Sequence, residues 1–136
     1  MVEAGLLLPL LVLMTCGTID FARLFFAGII VEGAARAGVQ YGAFSVGNAG
    51  ASGAIVTAAQ NDSSNQGLSG IALSSRTFCG CNTATGEVSC TTATCSGKIP
   101  NGYVETTASY NFNPIVPYPG IPKPVLLKSV VRFRAQ

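Results

Sequence analysis

The pattern of apolar and polar positions divides the chain in two. From Ala4 to Ile19 no position carries a charge, Asp20 and Arg23 interrupt the run three residues apart, and Leu24 to Val31 is apolar again. A helix over this stretch is ~42 Å long at ~1.5 Å per residue, longer than the ~30 Å hydrocarbon core of a bilayer. A chain of 136 residues cannot bury such a helix on every side. Lipid, or other copies of the same helix, must cover it.

Glu32 and Arg36 stand four apart in the order that favours a helix, so the helix is expected to continue to about Ala43. The segment Gly33–Phe44 is rich in Ala and Gly, a thin surface that permits close packing. A break is expected across Ser45–Gly53, a short second helix over Ala54–Gln60, and a turn over Asn61–Gly67. Pro9 removes one helical N–H, which predicts a kink or loosened backbone between Pro9 and Thr18.

Beyond the turn the period changes to two. Ile71–Phe78 and Glu87–Thr91 are strand candidates, the latter after a turn at Thr83–Gly86. Tyr103–Phe112 alternates, with Val104, Thr106, Ala108, Tyr110 and Phe112 on one face and Glu105, Thr107, Ser109 and Asn111 on the other. Val125–Arg134 sets Leu127, Ser129, Val131 and Phe133 against Lys128, Arg132 and Arg134. This is the signature of an antiparallel sheet with one wet face. Asn113–Pro124, with five prolines, joins the two strands as an extended connector. The expected class is α+β: a hydrophobic helix, residues 1–44, then a small β-rich head, residues 45–136.

Composition sharpens the compartment. Charged residues make up 10% of the chain, against ~25% in soluble domains, and mean hydropathy is positive. A net charge of +2 with scattered Lys and Arg gives no footprint for nucleic acid. Cys79, Cys81, Cys90 and Cys95 cluster in a segment rich in Gly, Ser and Thr, which fits two disulfides in an oxidising compartment better than zinc. A Cys79–Cys81 bridge would close too tight a ring. The nested pairing, Cys81 with Cys90 and Cys79 with Cys95, suits a hairpin, and the crossed pairing stays open. Cys16 behaves as a small apolar residue in the helix. Asn61-Asp62-Ser63 matches a glycosylation acceptor pattern.

No catalytic constellation emerges. The chain has no histidine, its six carboxylates fall in separate elements, and no Gly-rich loop carries the Lys-Ser/Thr of a phosphate site. No cofactor or metal is expected. Glu3 is the one acidic side chain at the edge of the apolar run, costly to bury unless paired. In an assembly its partner would be the free α-amino group of a neighbouring subunit. Asp20 and Arg23 can pair within the helix or between subunits.

These residues resemble a family. Val2 to Leu13, with Glu3 and Pro9, is similar to the "VEFALVLPLLLLL" opening of TadE-like proteins, minor pilins or pseudopilins of tight-adherence pilus systems. Gly17-Thr-Ile-Asp-Phe-Ala-Arg23 resembles their "GIIDFGR", and Gly33 to Tyr41 resembles their "AAREGARYA". Tyr103 to Pro117 is similar to a late "V-x-V-x-Y-x-F-x-P" segment. The resemblance implies an inner-membrane precursor with a basic leader, cut by a prepilin peptidase, whose head faces outward. Glu3 matches the family's acidic residue but is third where the fifth position is usual, and Ala4 replaces a Phe. Either the cut falls differently or two mature residues precede this numbering.

The expected function is a non-enzymatic structural subunit that polymerises through its helix into an extracellular type IV or Tad-like filament for adhesion. Glu3, Pro9, Asp20 and Arg23 are the expected assembly residues. The expected partners are other copies of the chain, the inner membrane before assembly, the prepilin peptidase and the pilus assembly machinery. Three alternatives stand beside it: a minor pseudopilin or monomeric envelope anchor that initiates or caps a pilus, a lipoprotein modified at Cys16, and an adhesive head using the connector and Tyr118.

Overall fold

In a computed structural model of the protein, a 42-residue helix α1 (Val2–Ala43) leads into a head of two further helices and a sheet. The structure describes residues 2–81 and 86–135. The side chains of residues 2–4 and 6 lie outside the described residues, as does the expected turn at Thr83 over residues 82–85. The head comprises α2 (Val46–Ala49), α3 (Ser52–Asn65), β1 (Ala72–Gly80), β2 (Glu87–Val88), β3 (Asn101–Phe112) and β4 (Val125–Arg134). The sheet is antiparallel in the order β2-β1-β3-β4.

The helix has two different halves. Leu7 to Met14 is exposed on all sides, whereas Ala27, Ile30, Val31, Ala34, Ala35 and Val39 are buried by the head. The C-terminal half of α1 lies across the inner face of the sheet, where Val31 and Ala35 meet Ala108 and Val39 meets Val104 and Ile55 of α3. Of the expected inward set on β3, Val104, Thr106, Ala108 and Phe112 are buried and Tyr110 is partly buried. Gly38 and Gly42 set the distance between layers. A Cβ on Gly42 would stand 2.9 Å from Val104 Cγ1 and 2.8 Å from Ile55 Cδ1; one on Gly38 would stand 3.1 Å from Ala59 Cβ.

The helix passes Pro9 without interruption, so the expected loosening does not break it. Thr15 and Thr18 donate their hydroxyls to the carbonyls of Val12 and Met14, which hides two polar groups within the apolar half. At the far end, Ser45 caps α2 by accepting from the Asn48 amide, and Asn48 Nδ2 donates to the Tyr41 carbonyl.

Three expectations in the head are corrected. The residues expected as a turn, Asn61 to Gly67, continue α3 as far as Asn65. Ser63 is buried and donates to the Gln60 carbonyl, and Gln66 Nε2 donates to Asp62 Oδ2 at 2.9 Å. Residues that favour turns in isolation are held helical by their contacts with the head. The acceptor pattern at Asn61 therefore lies on a helix, with its Ser63 hydroxyl turned inward.

The disulfides cross: Cys79 joins Cys90 and Cys81 joins Cys95. The nested pairing fails on register. Cys79 lies opposite Val88, so Cys90 continues toward the level of Thr77, closer to Cys79 than to Cys81.

The outer face of the sheet also differs from a simple wet face. Arg76, Glu105 and Arg132 lie in one row across β1, β3 and β4. Arg76 Nε donates to Glu105 Oε1 at 2.6 Å, Arg132 donates to Oε2, and Arg76 reaches Glu87 as well. Phe78 stacks on Tyr103 with ring centroids 5.5 Å apart, and both guanidinium groups lie over Phe78. Glu105 is therefore buried, and its hydrogen bond from Arg76, aided by Arg132, holds its carboxyl below the usual range although burial pushes the other way. At the opposite end of the predicted inward set on β4, Phe133 is exposed.

Candidate functional site

Of the four residues singled out for assembly, one is the centre of a built site. Asp20 is only 4% exposed although it stands in the apolar helix. Its carboxylate accepts the amide of Ile115 at 3.0 Å, the amide of Val116 at 3.1 Å and the hydroxyl of Tyr118 at 3.3 Å. Arg23 completes the set from within α1 at 3.2 Å. The pair is intrahelical, and the Arg23 guanidinium also lies over the Phe112 ring at 5.4 Å.

The connector, residues 113–124, is shaped to deliver these donors. Pro114 is buried and turns the chain out of β3. Ile121 N–H closes a turn on the Tyr118 carbonyl, with Pro119 and Gly120 at its centre. Gly120 has φ +85°, the left-handed value that such a Pro-Gly turn needs at that position. Gly17 lies one helical turn before Asp20 and leaves room for Tyr118; its Cβ would approach the phenolic oxygen at 3.9 Å. Below the contact, a small cavity of about 30 Å³ is lined by Leu24, Phe112, Pro114 and Val125 among others.

Toward the N-terminus the connector stands beside the helix across an open apolar groove of about 580 Å³. Leu8, Pro9, Val12, Leu13 and Cys16 form one wall, and Val116 to Pro119 form the other. Pro9 therefore faces the connector, and Cys16 is a free thiol on the same wall. Glu3 lies in the backbone of α1, but its side chain is outside the described residues.

A second surface lies on the outer side of α1. Phe21, Phe25 and Ile29 follow one another at four-residue spacing and are exposed, Phe25 by 70%. Glu32 and Arg36 continue the stripe as an exposed ion pair. Among the described residues, no group of three or more His, Cys, Asp or Glu side chains could hold a metal ion.

Sequence reasoning reached Asp20 and Arg23 but not the amides of Ile115 and Val116, and it gave Tyr118 an adhesive role rather than a place on Asp20. A signal existed: a carboxylate in an apolar helix has about four acceptor positions, and one arginine cannot fill them. The sequence did not say which distant amides would.

Residues 1–40 match the family model of TadE-like proteins. No curated protein and no protein of solved structure matches the chain. The matched segment is α1, including Asp20 and Arg23, and it supports a role connected with tight-adherence pili.

Proposed function

We propose that the chain is a structural pilin-like subunit that polymerises through α1 into an extracellular type IV or Tad-like filament used for adhesion. The reading rests above all on one observation: Leu7 to Met14 of α1 is apolar and exposed, while the C-terminal half of the helix is fixed in a disulfide-bonded head. Such a helix is stable in lipid or against its own kind, and exposed to water it would aggregate. The TadE-like match over the same residues supports the second partner.

In this reading the chain waits in the inner membrane with its head outside and is cut by the prepilin peptidase. The assembly machinery then moves it into a bundle of neighbouring helices. Glu3 pairs with the α-amino group of an adjacent subunit and fixes axial register, since an unpaired carboxylate in that bundle would be strongly unfavourable. Phe21, Phe25 and Ile29 offer a ridge for helix packing. Asp20 and Arg23 act within the subunit, holding connector to helix. Catalysis has no part in it.

The test is Glu3→Leu in the producing cell. Membrane-inserted protein without surface fibres, scored by electron microscopy of sheared material, is the expected outcome; normal fibres sink the role of Glu3. Purified fibres in which this chain is only a trace component would instead favour a minor pseudopilin.

A further inference from the structure

The depth of the connector conflicts with a head that stands wholly clear of the bilayer. The uncharged run Ala4–Ile19 is sixteen residues long, which spans only ~24 Å of a hydrocarbon core of ~30 Å. A core of that thickness centred on the run reaches the level of Asp20. Ile115, Val116 and Tyr118 are hydrogen-bonded to Asp20, and Val116 to Pro119 border the groove along the run, so the connector stands at its outer end. We infer that the connector is a second membrane-inserted element, a short loop whose backbone is held against α1 in the outer leaflet and whose apolar side chains meet acyl chains.

Its chemistry fits hydrocarbon. The chain carries no charge between Glu105 and Lys123. In lipid an unpaired backbone N–H or C=O is strongly unfavourable, and irregular backbone is tolerated only where protein covers it. Within residues 114–121, Pro114, Pro117 and Pro119 have no N–H. Ile115 and Val116 donate to Asp20, and Ile121 donates to the Tyr118 carbonyl, which leaves the amides of Tyr118 and Gly120. Asp20 is thus the polar sink of the loop: its charge is met by Arg23 and its remaining acceptor positions by the donors that would otherwise face lipid. The exposed Ile115 and Ile121 supply apolar surface, and Lys123 follows at the position where a cation reaches phosphate headgroups.

The inference rests on the proposed membrane anchoring and is separable from it. The chain has no tryptophan, so one substitution gives a single tryptophan that can be excited apart from the tyrosines. L13W reports the helix, V116W and I115W the connector, and Q60W the head. The full chain carrying each is reconstituted in phosphatidylcholine vesicles brominated midway along one acyl chain. With a core ~30 Å thick, L13W and at least one connector variant are expected to lose about half of their emission or more, and Q60W almost none. Quenching of L13W without either connector variant overturns the loop insertion and leaves the anchor. No quenching of L13W overturns both. Equal quenching of Q60W also overturns the insertion, because the whole head would then lie on lipid. Adding D20A to the quenched connector variant is expected to abolish its quenching while D20A added to L13W leaves that of the helix, and unchanged quenching of the connector would remove Asp20 from its proposed role.

Discussion

Asp20 and Ile115 are 95 positions apart in the chain, yet both oxygens of the Asp20 carboxylate lie within 3.1 Å of the Ile115 amide nitrogen. The contact ties the middle of the apolar helix to the loop between the last two strands, with Val116 and Tyr118 adding further donors. Asp20→Ala would strand those amides, while Asp20→Asn would keep one acceptor oxygen. Amide hydrogen exchange at Ile115 and Val116 is expected to accelerate by about tenfold or more in the alanine variant and by less in the asparagine variant. Unchanged protection in both would show that the connector is held without the carboxylate.

Glycine-to-alanine substitution should have opposite signs at two positions of α1. A Cβ on Gly28 meets nothing within 4 Å, so Gly28→Ala gains up to ~1 kcal/mol from helix propensity. A Cβ on Gly42 would press on Val104, a stiff β-branched side chain, and on Ile55. Overpacking of that kind costs ~1–3 kcal/mol, which outweighs the propensity gain at its upper end. Urea unfolding of the head, followed by tyrosine fluorescence, should place the two midpoints on either side of wild type.

The pairing of the cysteines can be checked by mass. Peptides from the unreduced protein should carry Cys79 with Cys90 and Cys81 with Cys95. Each bridge closes a loop of a dozen or so residues, and removing one as a double serine variant is expected to cost the head ~2–4 kcal/mol. Recovery of a Cys81–Cys90 peptide would contradict the observed register.

Glu105 gives the head an acid limb. Its carboxyl is held below the ordinary value, chiefly by Arg76, so the folded state binds its proton less readily than the unfolded chain. Its contribution is complete above the unfolded carboxylate value of about 4.3 and is lost as pH falls through the depressed folded value. Glu105→Gln should lower stability at neutral pH and flatten the decline between about pH 4.3 and lower values. An unchanged slope in acid would assign the decline to other carboxylates.

How much was legible in the sequence depends on the range of the interaction. The span of β4 came directly from periodicity, because burial on one face writes itself into alternate residues, and the end of α1 at Ala43 came from the Glu32–Arg36 spacing and the Ala/Gly-rich segment that follows. The composition of Asn61 to Asn65 pointed to a turn, and contacts of Ser63 with the head override that preference. The crossed disulfides needed the register of Cys79 on Val88, which no spacing rule contains. Glu105 was expected on the wet face and is sealed by Arg76 and Arg132 from the strands on either side. The centre of the candidate site was visible as a charge in an apolar run; its donors, almost a hundred residues later, were not.

The helix that leaves the head is also the slab on which the head is built. Ile30, Val31, Ala35 and Val39 pack beneath the sheet on the same continuous rod whose other end carries Leu7 to Met14. A pull applied to the sheet therefore enters the rod in shear, along a broad packed face, and meets no compliant tether on the way. Under load such a molecule should transmit tension stiffly up to the point at which the sheet peels from α1, and the crossed bridges at the far end of β1 lie outside that path.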